Sequence, residues 1–116
     1  FIQALINILN NSKDALLEKD YPRLIFINSY IEKNKSIIKI KDNAGGIKEE
    51  IINKVCEPYF TTKHQAKGTG IGLYMTEEII SKHMNGSLKI NNTKINYGNI
   101  DYLGLEITIE LNAEKN

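Results

Sequence analysis

The chain has 116 residues, 41% hydrophobic and 25% charged, with only two prolines, a composition that fits one folded domain and excludes a disordered, collagen-like or two-domain chain. Fifteen Lys and Arg against 14 Asp and Glu leave a formal charge of +1, and Arg23 is the sole arginine, so the basic excess and bidentate guanidinium groups of a nucleic-acid binder are missing. Cys56 is the one cysteine, which excludes an internal disulfide and a thiolate metal cluster and fits a reducing compartment; no run of about 18 apolar residues is present to span a membrane, and no secretory signal is visible.

The chain begins at Phe1 and reads as part of a longer protein. The apolar periodicity of residues 2–17 predicts a helix, with Ile2, Leu5, Ile6, Leu9 and Leu16 as its buried stripe. A polar stripe of Gln3, Asn7, Asn11 and Asp14 points largely away from it. Asparagine is a mediocre helix former, yet this helix carries Asn7, Asn10 and Asn11, and such local inconsistency marks functional sites. Tyr21-Pro22 ends the helix. Residues 24–30 and 37–41 read as two strands of a hairpin, joined by a charged turn that includes Asn34. The segment DNAGG at 42–46 breaks the second strand. Residues 47–57 read as a short helix stopped by Pro58. A loop follows, ending in Gly68, Gly70 and Gly72, then a helix over 71–84 terminated by Asn85-Gly86. Residues 87–91 read as a strand, the Asn-rich 92–101 as turn-like, and 102–111 as a last strand with Leu105, Ile107, Ile109 and Leu111 on one face. The tail 113–116 is polar. This order predicts an α/β two-layer sandwich, a mixed sheet packed against three helices.

The glycines of GTGIG at 68–72 do not fit the dinucleotide fingerprint, a Walker loop or the protein-kinase signature set. A glycine-rich loop running into a helix nevertheless offers free N–H groups and a favourable dipole to phosphate. Four segments together say more: NILNNSKDA at 7–15, DNAGGI at 42–47, EPYFTTK at 57–63 and GTGIGL at 68–73. In this order they resemble the asparagine, first glycine, phenylalanine and second glycine boxes of the catalytic ATP-binding domain of bacterial sensor histidine kinases. That superfamily also includes type II topoisomerases, mismatch-repair ATPases and one class of heat-shock chaperone. The resemblance covers essentially all of residues 1–116, and the family's first short strand, which precedes the asparagine box, is absent from them. It implies a mixed sheet backed by three helices, with ATP held under a mobile lid.

What the resemblance implies residue by residue follows the boxes. Asn11 matches the magnesium-coordinating asparagine, a hard neutral oxygen ligand suited to Mg²⁺. Asn7 matches the other box asparagine and is assigned to phosphate or metal-water hydrogen bonding; an amide cannot act as the general base that a glutamate supplies in the hydrolysing relatives. Asp14 departs from the basic residue common at its place and is either a nucleotide or water contact or a solvated helix residue. Asp42 matches the aspartate that accepts a hydrogen bond from the adenine amine, with Gly45, Gly46 and Ile47 letting the backbone approach the base; Ala44 stands where the family often has its first glycine. Phe60 anchors the lid, Thr62 lies beside it, and Lys63 or Lys67 meets the β- or γ-phosphate, Lys63 preferred. Gly68, Thr69, Gly70, Ile71, Gly72 and Leu73 form the lid-to-helix turn at the phosphates. Neither His64 nor His83 matches the phosphorylated histidine, which in the family belongs to a separate domain.

The implied activity is that of an ATP-dependent protein histidine kinase. The chain would bind Mg-ATP and donate the γ-phosphoryl group to a histidine on the dimerisation domain of the same full-length protein, for relay to a response regulator. The domain itself would be cytoplasmic and outside the membrane, in a homodimeric full-length protein anchored in the inner membrane. The alternatives are an ATP-hydrolysing or serine-kinase member of the superfamily, or a degenerate signalling module. Asn7 opposes the first two, and intact Asn11, Asp42 and glycines oppose the third.

Overall fold

The computed structural model describes residues 2–52, 54 and 73–112. Helix α1 spans Ile2–Leu16, strand β1 Ile25–Glu32, β2 Lys35–Asp42 and helix α2 Glu49–Ile52. Helix α3, Tyr74–Glu78, continues as a π-helical turn over Ile79–His83, and strands β3, Ser87–Tyr97, and β4, Ile100–Asn112, close the sequence of elements. The strands form one sheet in the order β1-β2-β4-β3. The two-layer α/β arrangement matches the expectation; where a mixed sheet was expected, every pairing among the described strands is antiparallel.

Alternation assigns the sheet faces. Ile40 pairs with Ile107 and Ile38 with Ile109 on β2–β4, and Ile90 and Leu88 continue the same rows on β3. These residues make the sheet side of the core. The helical side comes from Ala4 and Ile8 of α1, Leu73, and Ile80. Ile8, Leu73, Ile80 and Ile109 are fully buried, each worth about 1.5–3 kcal/mol relative to exposure.

The buried line of α1 is Ala4, Ile8, Ser12 and Leu16, one turn apart, not the stripe read from periodicity. Leu5 and Leu9 flank it, while Ile2 and Ile6 are exposed. Apolar side chains cover so wide an arc of this helix that its pattern does not fix the centre of the buried face. Packing selects the line that begins with Ala4, whose small side chain lets α1 approach closely. Past its end, Arg23 donates through Nε and Nη2 to the Lys19 carbonyl at 3.0 and 2.7 Å, holding the turn that follows α1.

The β1–β2 hairpin turns at Lys33 and Asn34, with φ of 53° and 65°, the two-residue pattern that matches strand twist. The region 92–101 is not a turn. β3 runs through Tyr97, and only Gly98 and Asn99, φ 62° and 64°, turn the chain into β4. The asparagines are tolerated there because their amides find partners: Asn96 donates to Asp101 across the hairpin at 2.8 Å, and Asn92 bonds to Ile47. The helix expected over 47–57 is described only for Glu49–Ile52. β1 is an edge strand exposed along its whole length, including Ile25, Phe26, Ile27 and Ile31. Among the described residues no helix is long and apolar enough to cross a membrane.

Candidate functional site

Asp42 is the last residue of β2 and shares the core face with Ile40. It is only 5% exposed. A carboxylate so placed requires donors. Ser12 of α1 donates its hydroxyl to Asp42 Oδ2 at 2.8 Å, and the Ala44 N–H donates to Oδ1 at 3.0 Å. Burial pushes the Asp42 carboxyl above its ordinary range; the Ala44 N–H, the Ser12 hydroxyl and the Leu105 N–H pull against that shift without cancelling it.

The turn after Asp42 is held by two asparagines. Asn43 is fully buried. Its Oδ1 accepts from the Leu24 N–H at 2.9 Å and its Nδ2 donates to the Pro22 carbonyl at 2.8 Å. The Asn43 carbonyl accepts from the Tyr21 hydroxyl at 2.7 Å. Tyr21 packs against Tyr102 with centroids 5.1 Å apart and ring planes tilted by 44°, and burial followed by the Asp42 charge raises its pKa. On the other side, Asn92 of β3 bonds both ways to Ile47: the Ile47 N–H donates to Oδ1 at 2.8 Å and Nδ2 donates to the Ile47 carbonyl at 2.6 Å. Gly46, φ 74°, allows this, since a Cβ there would lie 2.7 Å from Asn92 Oδ1. Gly104 of β4 lets the strands close on Asp42: a Cβ at that position would run into the Asp42 carbonyl oxygen.

Between α1 and the sheet these elements leave a pocket lined by Asn11, Ser12, Ala15, Asp42, Ala44, Gly46, Ile47, Leu73, Leu105 and Ile107. Its walls are largely aliphatic, with the Asp42 carboxylate as the single ionisable side chain among these lining residues. The slot thus combines apolar walls with one convergent acceptor. Asn11 is half-buried beside Ser12, so an amide borders the slot.

Of the residues singled out from the sequence, the structure brings Asn11, Asp42, Gly46, Ile47 and Leu73 together around the pocket. Asn7 lies one turn before Asn11 and accepts from Gln3 at 3.1 Å on the exposed side. Neither Asn7 nor Asp14 is among the described lining residues; Asp14 is half-buried. Gly45, φ 107°, shapes the turn and donates its N–H to the Leu103 carbonyl at 3.0 Å. Phe60, Thr62, Lys63, Lys67, Gly68, Thr69, Gly70, Ile71 and Gly72, and with them the lid, lie outside the described residues, as does His64. Periodicity placed Leu105 and Ile107 on one face of the last strand but did not single out Ser12 or Asn92. Ser12 was detectable as the one hydroxyl on the i, i+4 line from Ile8. Leu105 enters through its pairing with Asp42, which no local pattern announces. Among the described residues, no three His, Cys, Asp or Glu side chains gather to hold a metal ion.

Residues 1–115 match the family model described as histidine kinase-, DNA gyrase B-, and HSP90-like ATPase. The chain is 34% identical over 90 residues to the C4-dicarboxylate transport sensor protein DctB of Pseudomonas aeruginosa, covering 78% of this chain and 14% of that protein. It is 36% identical over 88 residues to the signal transduction histidine-protein kinase AtoS of Escherichia coli, covering 76% and 14%. The chain therefore spans about a seventh of the length of these relatives. Among solved structures it resembles a nucleotide-free form of the catalytic domain of histidine kinase ThkA, with TM-score 0.73 and 29% identity, covering 96% of this chain and 64% of that one.

Proposed function

The chain belongs to the histidine kinase-, DNA gyrase B- and HSP90-like ATPase family, and from that premise we propose that it is the nucleotide-binding unit of a longer sensor histidine kinase. It binds ATP with Mg²⁺ and presents the γ-phosphoryl group to a histidine on a separate dimerisation domain, from which a response regulator takes it. Membrane anchoring of the longer protein belongs to the same reading.

The observation that carries it is the buried, donor-supported Asp42 carboxylate at a largely aliphatic slot bordered by Asn11. The adenine amine donates a hydrogen bond to it while the ring lies between Ala44, Ile47, Leu73 and Ile107. Asn11, at the border of the slot, would hold Mg²⁺ through its amide oxygen, a hard neutral ligand suited to that ion. The bound ion screens charge on the phosphates. Asn7, one turn back along α1, hydrogen-bonds to phosphate or metal-bound water; lacking basicity, it leaves a water molecule unactivated, which favours phosphoryl transfer over rapid hydrolysis. Lys63 or Lys67 and the glycines at 68, 70 and 72 complete the phosphate end in this reading. Catalysis then consists of positioning and charge compensation.

The test is base selectivity. Guanine presents a 6-oxo acceptor where adenine presents an amine, leaving the carboxylate opposed and unpaired. That costs about 1–3 kcal/mol or more, a preference for ATP of about ten- to a hundredfold. Asp42→Asn should lower ATP affinity and narrow the ATP-to-GTP ratio in calorimetric titration, with the circular dichroism spectrum unchanged. A folded Asp42→Asn variant that kept both the affinity and the ratio would remove Asp42 from base recognition.

A further inference from the structure

Ser12 is the polar member of an otherwise aliphatic line on α1, Ala4, Ile8, Ser12 and Leu16. It is 4% exposed. Nothing in helix packing asks for a hydroxyl there: alanine is the better helix former and would bury no polar atom. The hydroxyl reaches across 30 residues of sequence to Asp42 Oδ2 at 2.8 Å. An ionised carboxylate offers about four lone-pair sites. Ser12 and the Ala44 N–H each engage one of its oxygens, at 2.8 and 3.0 Å, which leaves acceptor capacity for a donor entering the slot.

We infer that Ser12 is a positioning residue for nucleotide selection: its hydroxyl fixes the rotamer of Asp42 and holds the carboxylate in the acceptor-only form that distinguishes an amine from a carbonyl. This deepens the reading of Asp42 as the base-recognising group and rests on it. Removing the hydroxyl withdraws a donor that favours the ionised form, so the carboxyl takes up a proton at a higher pH. A protonated Asp42 is both donor and acceptor and tolerates a 6-oxo group. Loss of Ser12 thus weakens ATP binding and relaxes the choice of base together.

Other charged groups around Asp42 are the same in both proteins. Tyr21, in the turn after α1, senses the Asp42 charge and lies near Tyr102 of β4 and Asp20. The Lys19 ammonium lies by Gly45. Lys13 and Asp14 follow Ser12 around α1, Lys48 is exposed beyond the turn, and Lys41 and Glu106 alternate to the opposite side of β2 and β4. A difference between variant and parent in the acid limb of binding therefore reports the carboxylate that Ser12 touches.

The 116-residue chain, Ser12→Ala and Ser12→Thr should be titrated with Mg-ATP and Mg-GTP from pH 4.5 to 8. At neutral pH, Ser12→Ala should bind ATP about three- to tenfold more weakly, the loss of one charge-assisted bond. Its ATP-to-GTP ratio should narrow, and the acid limb of its ATP binding should move to higher pH. Ser12→Thr, which keeps the hydroxyl, should restore the ratio and the limb. If Ser12→Ala lowers the folded fraction, Ser12→Cys, of similar volume but a poor donor, serves the same comparison. Curves for Ser12→Ala that superimpose on the parent's overturn the inference and leave the base-recognition reading standing. So does a uniform loss of affinity with ratio and pH profile unchanged. A parent chain that binds no ATP overturns both.

Discussion

Asn43 ties the Asp42 turn to the chain leaving α1, and truncating it should cost far more than an average asparagine. Its side chain is fully buried and makes two hydrogen bonds, to the Leu24 N–H at 2.9 Å and the Pro22 carbonyl at 2.8 Å. Asn43→Ala removes both, each worth about 1 kcal/mol net, and leaves a donor and an acceptor whose desolvation adds about 1–3 kcal/mol where water cannot replace the amide. Leu24 is half-buried, so water reaches part of the gap, the desolvation part falls to about 0–2 kcal/mol and the sum is about 2–4 kcal/mol. A domain of this length has roughly 0.05–0.15 kcal/mol of stability per residue, so this is a large share. With a urea slope of about 1.5 kcal/mol per molar, the midpoint falls by roughly 1.3–2.7 M. Tyr21→Phe loses only the 2.7 Å bond to the Asn43 carbonyl and should shift the midpoint by about 0.7 M. Equilibrium urea unfolding followed by circular dichroism measures both. A midpoint for Asn43→Ala within about 0.3 M of the parent would refute the assignment of Asn43 as the clip of this turn. An Asn43 loss no larger than that of Tyr21→Phe would refute it equally.

Gly104→Ala should displace the β2–β4 ladder at the Asp42–Leu105 pair, because its Cβ meets the Asp42 backbone carbonyl; a stability loss above about 2 kcal/mol and loss of ATP binding are expected from urea unfolding and calorimetry. Gly98→Ala is the comparison: a Cβ there meets nothing within 4 Å, and only its positive φ is strained, costing about 1 kcal/mol. Asp42→Asn should raise stability at neutral pH while weakening ATP binding. The unfolded carboxyl ionises near 3.8 and the folded one higher, so between those values the folded state binds more protons and stability falls as pH rises. The variant's advantage should be greatest above that window and vanish below pH 3.8; urea midpoints between pH 3 and 7 measure it, and a constant difference across that range would contradict the burial argument.

The elements most legible from sequence are those whose chemistry is local. Lys33-Asn34 turns where a charged turn was expected, and the alternation of β4 through Leu105, Ile107 and Ile109 matches its buried face. Asp42 was legible through its motif. What escaped depends on partners distant in sequence. Ser12 looks like an ordinary helix residue until Asp42 packs beside it. Asn92, in a stretch that reads as a turn, is a strand residue because its amide satisfies Ile47, 45 residues away. The buried line of α1 was misplaced because its apolar arc is too wide to fix the centre of the buried face. Its direction is set by the sheet and by Leu73, which the helix meets only once folded.

The exposure of β1 bears on how the chain behaves when crowded. Residues 24–31, LIFINSYI, hold no charge, proline or glycine, and both faces of the strand are exposed. Such a segment is what cross-β stacking selects. Among the described strands β1 pairs only with β2, and free N–H and C=O groups along an outer edge are a template for another strand. The charges that would discourage such pairing, Arg23, Glu32 and Lys33, sit beyond the ends of this run. The strand that pairs Ile25 with Asp42, and so helps hold the carboxylate in place, is also the segment through which concentrated chains would be lost to self-association.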